Sequence, residues 1–211
     1  EALQKTIQSI ISEGTRIYKE LRSDLPGVYF DQHLYQPLLI QKGSKVKTAP
    51  PGLNGGEQKF VENLRDWCLA KPKELEGKEL FLLRNLSRGH GIGFFENSGF
   101  YPDFILWVVE GKKQRLIFVE PHGMIHEGHP AANSKVNLHI KLKAQAAEVL
   151  KRGKVTHLEL DAFVISETCF EELRYNVADE NGPWKIEQFE AAHILFADED
   201  GSFGHLEKIV G

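Results

Sequence analysis

Cysteine is scarce in this sequence, and its scarcity limits what the protein can be. Only two cysteines occur among 211 residues, Cys68 and Cys169, and neither has the CxxC spacing of a zinc or redox site. We therefore expect both to be buried structural thiols in a reduced, cytoplasmic protein. Apolar residues never run for the roughly 20 positions that a membrane-spanning helix requires, so we also expect no membrane association.

Methionine and positive charge are also in short supply. Met124 is the only methionine, so we interpret Glu1 as a cut or processed end of a longer chain. Lys and Arg number 26 against 30 Asp and Glu, and the net charge of −4 leaves no overall basic field to attract nucleic acid. This balance disfavours a simple DNA-binding module and fits an enzyme that gathers carboxylates around a metal ion. No Walker motif occurs, so we expect any ATP-driven motor to lie outside this sequence.

The apolar residues that are present predict an α/β chain with an N-terminal arm. Positions 1–23 have an amphipathic helical pattern, positions 28–40 predict one or two strands, and a loop rich in Gly and Pro covers 41–56. We therefore expect an arm over 1–54 and a domain over 55–211. The domain should contain a helix, three strands, a helix, a strand, and a tail with a short helix and a strand: 57–70, 79–85, 103–109, 115–120, 133–152, 156–165, 170–174 and 193–197.

Two of these strands form a hairpin whose register can be counted from its turn. If Gly111 and Lys112 are the two turn residues, Asp103 faces Glu120 at the open end. Directly opposite residues lie about 5 Å apart, and two carboxylates at that distance repel each other unless a cation lies between them. The strands are apolar on both faces, unlike a solvated hairpin. The residues therefore indicate a hard divalent ion held by oxygen ligands.

The order of these motifs resembles a known nuclease family. Pro102-Asp103 on one strand, in FYPDFILWV, precedes Glu120-Pro121-His122 on the next, in LIFVEPHG. This arrangement resembles the PD-(D/E)xK nuclease superfamily, and more closely the C-terminal nuclease domain of type III restriction-type DEAD/DEAH-box helicase proteins. The resemblance covers about residues 55–165 and implies a restriction-endonuclease-like mixed sheet flanked by helices.

The resemblance also implies roles for individual residues. Asp103 and Glu120 match the two metal-binding acids. Glu57 matches the acid that many members supply from the first core helix, with Glu62 as the second choice, and the alternative for Glu57 is an acid at a helix start that the macrodipole favours. The metal would be Mg²⁺ or Mn²⁺, and the reaction would be metal-assisted hydrolysis of a phosphodiester. Basic residues near the hairpin and on the second core helix are expected to contact nucleic acid, with a solvated surface as the alternative: Arg84, Arg88 and Lys135.

His122 departs from the family pattern, because the family has a lysine at this position. An imidazole can accept a proton, bind a metal or stabilise charge when protonated, but it lacks the reach and the permanent charge of lysine. We expect Lys141, on the next helix, to substitute for it in space. The catalytic group is then Asp103, Glu120, His122 and Lys141.

The expected function is that of a metal-dependent DNA endonuclease module in a helicase-linked restriction or defence protein. Its partners would be DNA and a helicase or ATPase domain of the same or another chain. A catalytically inactive domain of this fold, which binds DNA or packs on the helicase, is the alternative. A zinc-dependent hydrolase built on His126 and His129 is a third possibility, although IHEGH lacks the HExxH spacing of helical zinc sites.

Overall fold

The computed structural model describes residues 28, 30, 33–35, 38–40, 51–86, 101–133, 135–153, 157–197 and 203–211. The predicted helix over 1–23, most of the loop over 41–56, and Arg88 lie outside these residues. Within the described ranges, no helix is both long enough and apolar enough to cross a membrane.

A mixed six-stranded sheet organises the described residues. Its strands lie side by side in chain order: β1 (His33–Tyr35), β2 (Lys78–Arg84), β3 (Phe104–Glu110), β4 (Lys113–His122), β5 (Leu158–Ser166) and β6 (Ile194–Phe196). The neighbours β2, β3 and β4 are antiparallel, whereas β1 joins β2, β5 joins β4 and β6 joins β5 in parallel. The predicted class, an α/β fold with a mixed sheet flanked by helices, is confirmed.

In the described part of the chain, two long helices accompany the sheet, together with several short ones. The long helices are α1 (Gly55–Ala70) and α2 (Leu138–Gly153), and the short ones are α3 (Phe170–Asn176), α4 (Ile186–Ala191) and α5 (Gly204–Val210). The predicted order of helix, three strands, helix and strand is confirmed. The helices α4 and α5 were not predicted.

Apolar side chains cover both faces of the central strands. On one face, Phe60 and Leu64 of α1 are buried in one cluster with Leu106 of β3. On the other face, Leu142 of α2 is buried in a second cluster with Ile105 of β3. Because successive strand residues point to opposite faces, β3 contributes to both layers. The nearly continuous apolar pattern of the hairpin therefore corresponds to strands buried on two sides.

The described part of the predicted N-terminal arm belongs to the same core. β1 pairs with β2, and Val28, Phe30, Leu38 and Leu53 are buried in the cluster that contains α1. The boundary between 1–54 and 55–211 stays a prediction.

The two cysteines differ in exposure. Neither forms a disulfide; Cys68 is half-buried and Cys169 is exposed. The prediction of a buried thiol is therefore wrong for Cys169, because this residue lies at the surface as the N-cap of α3.

The β3–β4 hairpin has the register counted from the sequence. Glu110 pairs with Lys113 across the turn, and Phe104 pairs with Val119 at the other end. Gly111 has a φ of 58°, in the left-handed region that tight hairpin turns require and that glycine adopts without strain. One step beyond the last pair, this register sets Asp103 opposite Glu120.

A cluster of charged and aromatic side chains joins the start of α2 to β5. The rings of His139 and His193 stack 3.8 Å apart, and His139 Nδ1 lies 2.7 Å from the carbonyl oxygen of Val136. His193 Nδ1 lies 3.1 Å from one oxygen of Asp161, and Lys143 Nζ lies 3.4 Å from the other. Burial, with the nearby charges of His193 and Lys143, lowers the pKa of His139 even though the Val136 carbonyl opposes the change.

We expect His139 to contribute less to the stability of the fold as the pH falls below about 6.5, the ordinary pKa of histidine. In that range the unfolded chain takes up a proton on His139 and the folded protein resists it, so the contribution of His139 to the free energy of unfolding declines with falling pH. His139→Phe keeps a ring in the stack and should lose this part of the pH dependence. Urea midpoints at about pH 5 and about pH 7 measure it.

The control for this experiment is His157→Gln, because His157 is an exposed histidine outside the cluster. Its pH dependence should match that of the wild type. An unchanged pH dependence in His139→Phe would contradict the prediction.

Candidate functional site

Asp103 and Glu120 stand side by side at the open end of the hairpin. Asp103 immediately precedes β3, and Glu120 lies near the end of β4, so both are positioned by the register that also buries the core residues. The backbone N–H of Asp103 donates a hydrogen bond to Glu120 Oε2 at 3.1 Å. Glu120 is buried and Asp103 is half-buried. The structure thus brings together the two acids that the turn count paired.

Both carboxylates resist ionisation. Burial, followed by the negative charges of Glu120 and Glu57, raises the pKa of Asp103 to about 8, against the opposing charges of Arg84 and Lys135. Burial also raises the pKa of Glu120, although Lys135 and the Asp103 N–H favour its ionised form. At neutral pH the pair therefore requires either a proton on Asp103 or a cation in place of that proton.

Glu57, the third acid near this pair, is held at the start of α1. Asn54 Oδ1 accepts a hydrogen bond from the Glu57 N–H at 2.8 Å, and Glu57 Oε2 accepts one from the Asn54 N–H at 3.1 Å, which together form a capping box. The same Glu57 oxygen accepts a hydrogen bond from Arg84 Nη2 at 3.1 Å in a mostly buried ion pair. The Arg84 guanidinium thus faces a carboxylate of the protein itself, and its contact with nucleic acid stays a prediction.

Lys135 reaches the acid pair from the segment before α2. Its Nζ lies 3.5 Å from Glu120 Oε1 and 3.1 Å from His122 Nε2. Asn133 positions it, because Asn133 Oδ1 accepts hydrogen bonds from the backbone N–H groups of Lys135, at 2.8 Å, and of the following residue, at 3.2 Å. These bonds form a turn ahead of the helix, so α2 begins at Leu138 and not at Asn133 as predicted.

Lys141, the residue predicted to replace the family lysine, is half-buried on α2. The ammonium that contacts Glu120 belongs to Lys135 instead. A role for Lys141 in catalysis stays a prediction.

His122 ends β4 and meets a residue that sequence reasoning missed. Its Nε2 lies 2.5 Å from Glu127 Oε1, in the segment that follows the strand, and Asn133 Nδ2 donates to Glu127 Oε2 at 2.9 Å. Asn133 carried a signal, because Asn shortly before a helical pattern is a typical cap residue. Glu127 carried none, because irregular backbone has no period from which to infer a partner.

The histidines after His122 do not assemble into a zinc centre. His126 is exposed, and His129 packs edge-on against Trp184 with ring centroids 5.0 Å apart. Across the residues that the structure describes, no group of three or more His, Cys, Asp or Glu side chains is arranged to hold a metal ion. The zinc alternative therefore has no support in this part of the chain.

Two carboxylates are nevertheless a donor set that suits Mg²⁺ or Mn²⁺. Mg²⁺ is commonly held by one or two carboxylates and completes its octahedron with water and substrate phosphate oxygens. A cation between Asp103 and Glu120 would take the place of the proton on Asp103 and would relieve the repulsion between the two acids. The residues present therefore fit a divalent ion with two protein ligands.

A cavity of about 600 Å³ lies at the end of the hairpin opposite the acid pair, around the hairpin turn. Two ion pairs join charged side chains that line it: Arg115 lies 3.9 Å from Glu159, and Lys143 lies 3.4 Å from Asp161. Arg115 also donates to main-chain carbonyls at the end of α5. Because these pairs balance opposite charges, we locate the candidate functional site at the acid pair, where burial and neighbouring acids outweigh the nearby cations at Asp103.

Comparisons with protein-family models, with curated proteins and with solved structures found no match to this chain. The function is therefore inferred from the residues of the site and their geometry.

We expect Asp103→Asn to stabilise the metal-free protein at neutral pH. The Asp103 carboxyl ionises near 3.8 in the unfolded chain but only near 8 in the fold, so the contribution of Asp103 to wild-type stability falls as the pH rises between these values. Removing the Asp103 titration should raise the free energy of unfolding by roughly a few kcal/mol. Urea unfolding in EDTA measures the change.

Asp66→Asn is the matched control, because Asp66 is exposed on α1. It should leave the stability nearly unchanged. If Asp103→Asn destabilised the metal-free protein throughout the range from about pH 5 to about pH 8, the proposed repulsion would be wrong.

Proposed function

We propose that this chain is a metal-dependent nuclease module of the PD-(D/E)xK type that hydrolyses phosphodiester bonds in DNA. The observation that carries the proposal is the pair of facing carboxylates, Asp103 and Glu120, with the raised pKa of both and a lysine ammonium beside one of them. Adjacent buried acids oppose folding unless a ligand or a proton joins them. Strongly perturbed acids of this kind are typical of reactive sites.

Each residue of the site has a separate task in this proposal. Asp103 and Glu120 would hold Mg²⁺ or Mn²⁺, which when bound lowers the pKa of a water molecule and polarises the scissile phosphate. Lys135 supplies a positive charge that stabilises the phosphate oxygens as negative charge develops on them. His122 accepts or donates a proton beside that charge.

Lys135 compensates for the histidine at the family's lysine position. A histidine cannot supply a permanent charge, whereas an ammonium 3.1 Å from the imidazole can. The same ammonium lies 3.5 Å from Glu120, so it enters the site beside the second acid although it comes from a different segment. We therefore assign to Lys135 the role that the sequence suggested for Lys141.

We further propose that a helicase or ATPase domain, in the same chain or in a partner, presents the DNA, and that the protein works in the cytoplasm. The motif resemblance is the basis for the partner. The net charge of −4 supports this dependence, because affinity for DNA comes largely from cationic contacts with phosphates.

An inactive domain of the same fold is the second candidate, and one observation favours it. Lys135 already contacts Glu120, and a proton on Asp103 removes the remaining repulsion at neutral pH. The pair is then satisfied without a metal ion. Such a domain would bind DNA or pack on its helicase without cleaving.

The direct test is cleavage of plasmid DNA by the purified full chain with Mg²⁺ or Mn²⁺. We expect nicked and linear products from the wild type and a loss of about 100-fold or more in Asp103→Asn, which keeps the shape of the side chain but not its charge. Asp66→Asn should cleave at the wild-type rate. No cleavage by the folded wild type with either ion, with DNA binding retained, would establish the inactive alternative instead.

A second experiment distinguishes the two lysines. Lys135→Met should lower the cleavage rate by about 100-fold because it removes the charge beside Glu120, whereas Lys141→Met should have a much smaller effect. Lys112→Met, in the hairpin turn at the far end of β3, is the matched control. A larger loss in Lys141→Met than in Lys135→Met would return the catalytic role to Lys141.

A further inference from the structure

We propose that Glu127 is a positioning residue that holds the His122 imidazole with its proton on Nε2 and keeps Lys135 beside it. The consequence for cleavage rests on the proposed nuclease function. The effect on the imidazole itself does not, and it can be measured in the protein without a metal or a substrate.

The contact between His122 and Glu127 defines which ring nitrogen carries a proton. His122 Nε2 and Glu127 Oε1 are 2.5 Å apart, so a hydrogen must lie between them. An ionised carboxylate can only accept hydrogen bonds, and the donor is therefore Nε2–H. Nδ1 is then the only ring nitrogen of His122 that can offer a lone pair, which makes it the nitrogen available to accept a proton in a reaction.

Asn133 prevents Glu127 from turning away. Asn133 Oδ1 accepts two backbone N–H groups, so its Nδ2 must be the atom that faces Glu127, and it donates to Oε2 at 2.9 Å. Asn133 is buried. Both oxygens of the Glu127 carboxylate are thus committed, one to an imidazole and one to an amide.

Glu127 also supplies negative charge beside the Lys135 ammonium. Lys135 Nζ lies 3.1 Å from His122 Nε2, and this contact cannot be a hydrogen bond when Nε2 carries its own proton. The ammonium is held instead by carboxylates on two sides, with Glu120 Oε1 at 3.5 Å and Glu127 Oε1 at 3.8 Å. Without Glu127, His122 would turn its Nε2 lone pair to the ammonium, and Nδ1 would carry the proton.

The segment between β4 and α2 brings Glu127 back to the strand end. The Glu127 N–H donates to the carbonyl of Met124 at 3.2 Å, which closes a turn, and the Met124 N–H is itself anchored on Thr168 Oγ1 at 3.1 Å. Gly128 follows with a φ of 73°, a conformation that suits glycine. The backbone thus reverses where Glu127 meets His122.

The test compares four forms of this chain: the wild type, Glu127→Gln, the double variant Glu127→Gln/Asn133→Asp, and the matched control Glu172→Gln, which changes an exposed glutamate on α3. Long-range ¹H–¹⁵N NMR at about pH 8 reports which nitrogen of His122 is protonated. The His122 signals are assigned by their absence in His122→Phe.

The wild type and Glu172→Gln should show a protonated Nε2. In Glu127→Gln, the single amide oxygen is required by Asn133 Nδ2, so the amide NH₂ turns to His122 and the proton moves to Nδ1. In the double variant, the carboxylate introduced at position 133 accepts from that NH₂, the amide oxygen at position 127 turns back to His122, and Nε2–H returns. An unprotonated Nε2 in the wild type, or no change in Glu127→Gln, would overturn the proposal.

Cleavage kinetics separate this proposal from the proposed function. If the protein is a nuclease, Glu127→Gln should lower kcat by about 10- to 100-fold with little change in KM, and the double variant should recover most of the loss. If the NMR results are as expected but the wild type does not cleave DNA, the positioning role of Glu127 stands and the proposed nuclease function is contradicted. A wild-type kcat in Glu127→Gln, despite the shifted proton, would overturn the catalytic consequence.

Discussion

The register of the β3–β4 hairpin is the constraint on which the rest of the site depends. The same alternation that buries Ile105 and Leu106 on opposite faces sets Asp103 against Glu120 at the strand ends. Sheet hydrogen bonds and core packing therefore oppose any separation of the two acids, and the fold tolerates their mutual repulsion. What this end of the sheet can bind follows from that enforced proximity.

A cation lies near the acid pair on each side of the sheet and partly offsets its negative charge. On the α1 side, the capping box and Arg84 hold Glu57. On the α2 side, Lys135 contacts Glu120. Asp103 lies between these two groups of residues. Burial and the neighbouring acids raise its pKa by more than the two cations lower it. The site therefore favours whatever can neutralise Asp103, which is a proton in the metal-free protein and a divalent ion in the proposed enzyme.

The parts of the site that follow from local rules could be predicted, and those that depend on irregular backbone could not. The facing of Asp103 and Glu120 required only a two-residue turn and the period of a strand. The choice of lysine required the start of α2, which was predicted at Asn133, and the predicted lysine was Lys141. Asn133 instead bonds to the backbone N–H groups of Lys135 and of the residue after it, which delays the helix and leaves Lys135 in a turn beside the acids. No periodic pattern could place Glu127.

The hairpin register limits how the site can change in evolution or by mutagenesis. A one-residue slip of β3 would move Asp103 away from its partner, but it would also exchange the two faces of the core, so it would unfold the protein. The acid pair can be lost only by replacing a side chain. The cationic half, carried by the segment between β4 and α2, has no such tie to the sheet. This segment can therefore be redesigned while Asp103 and Glu120 stay unchanged.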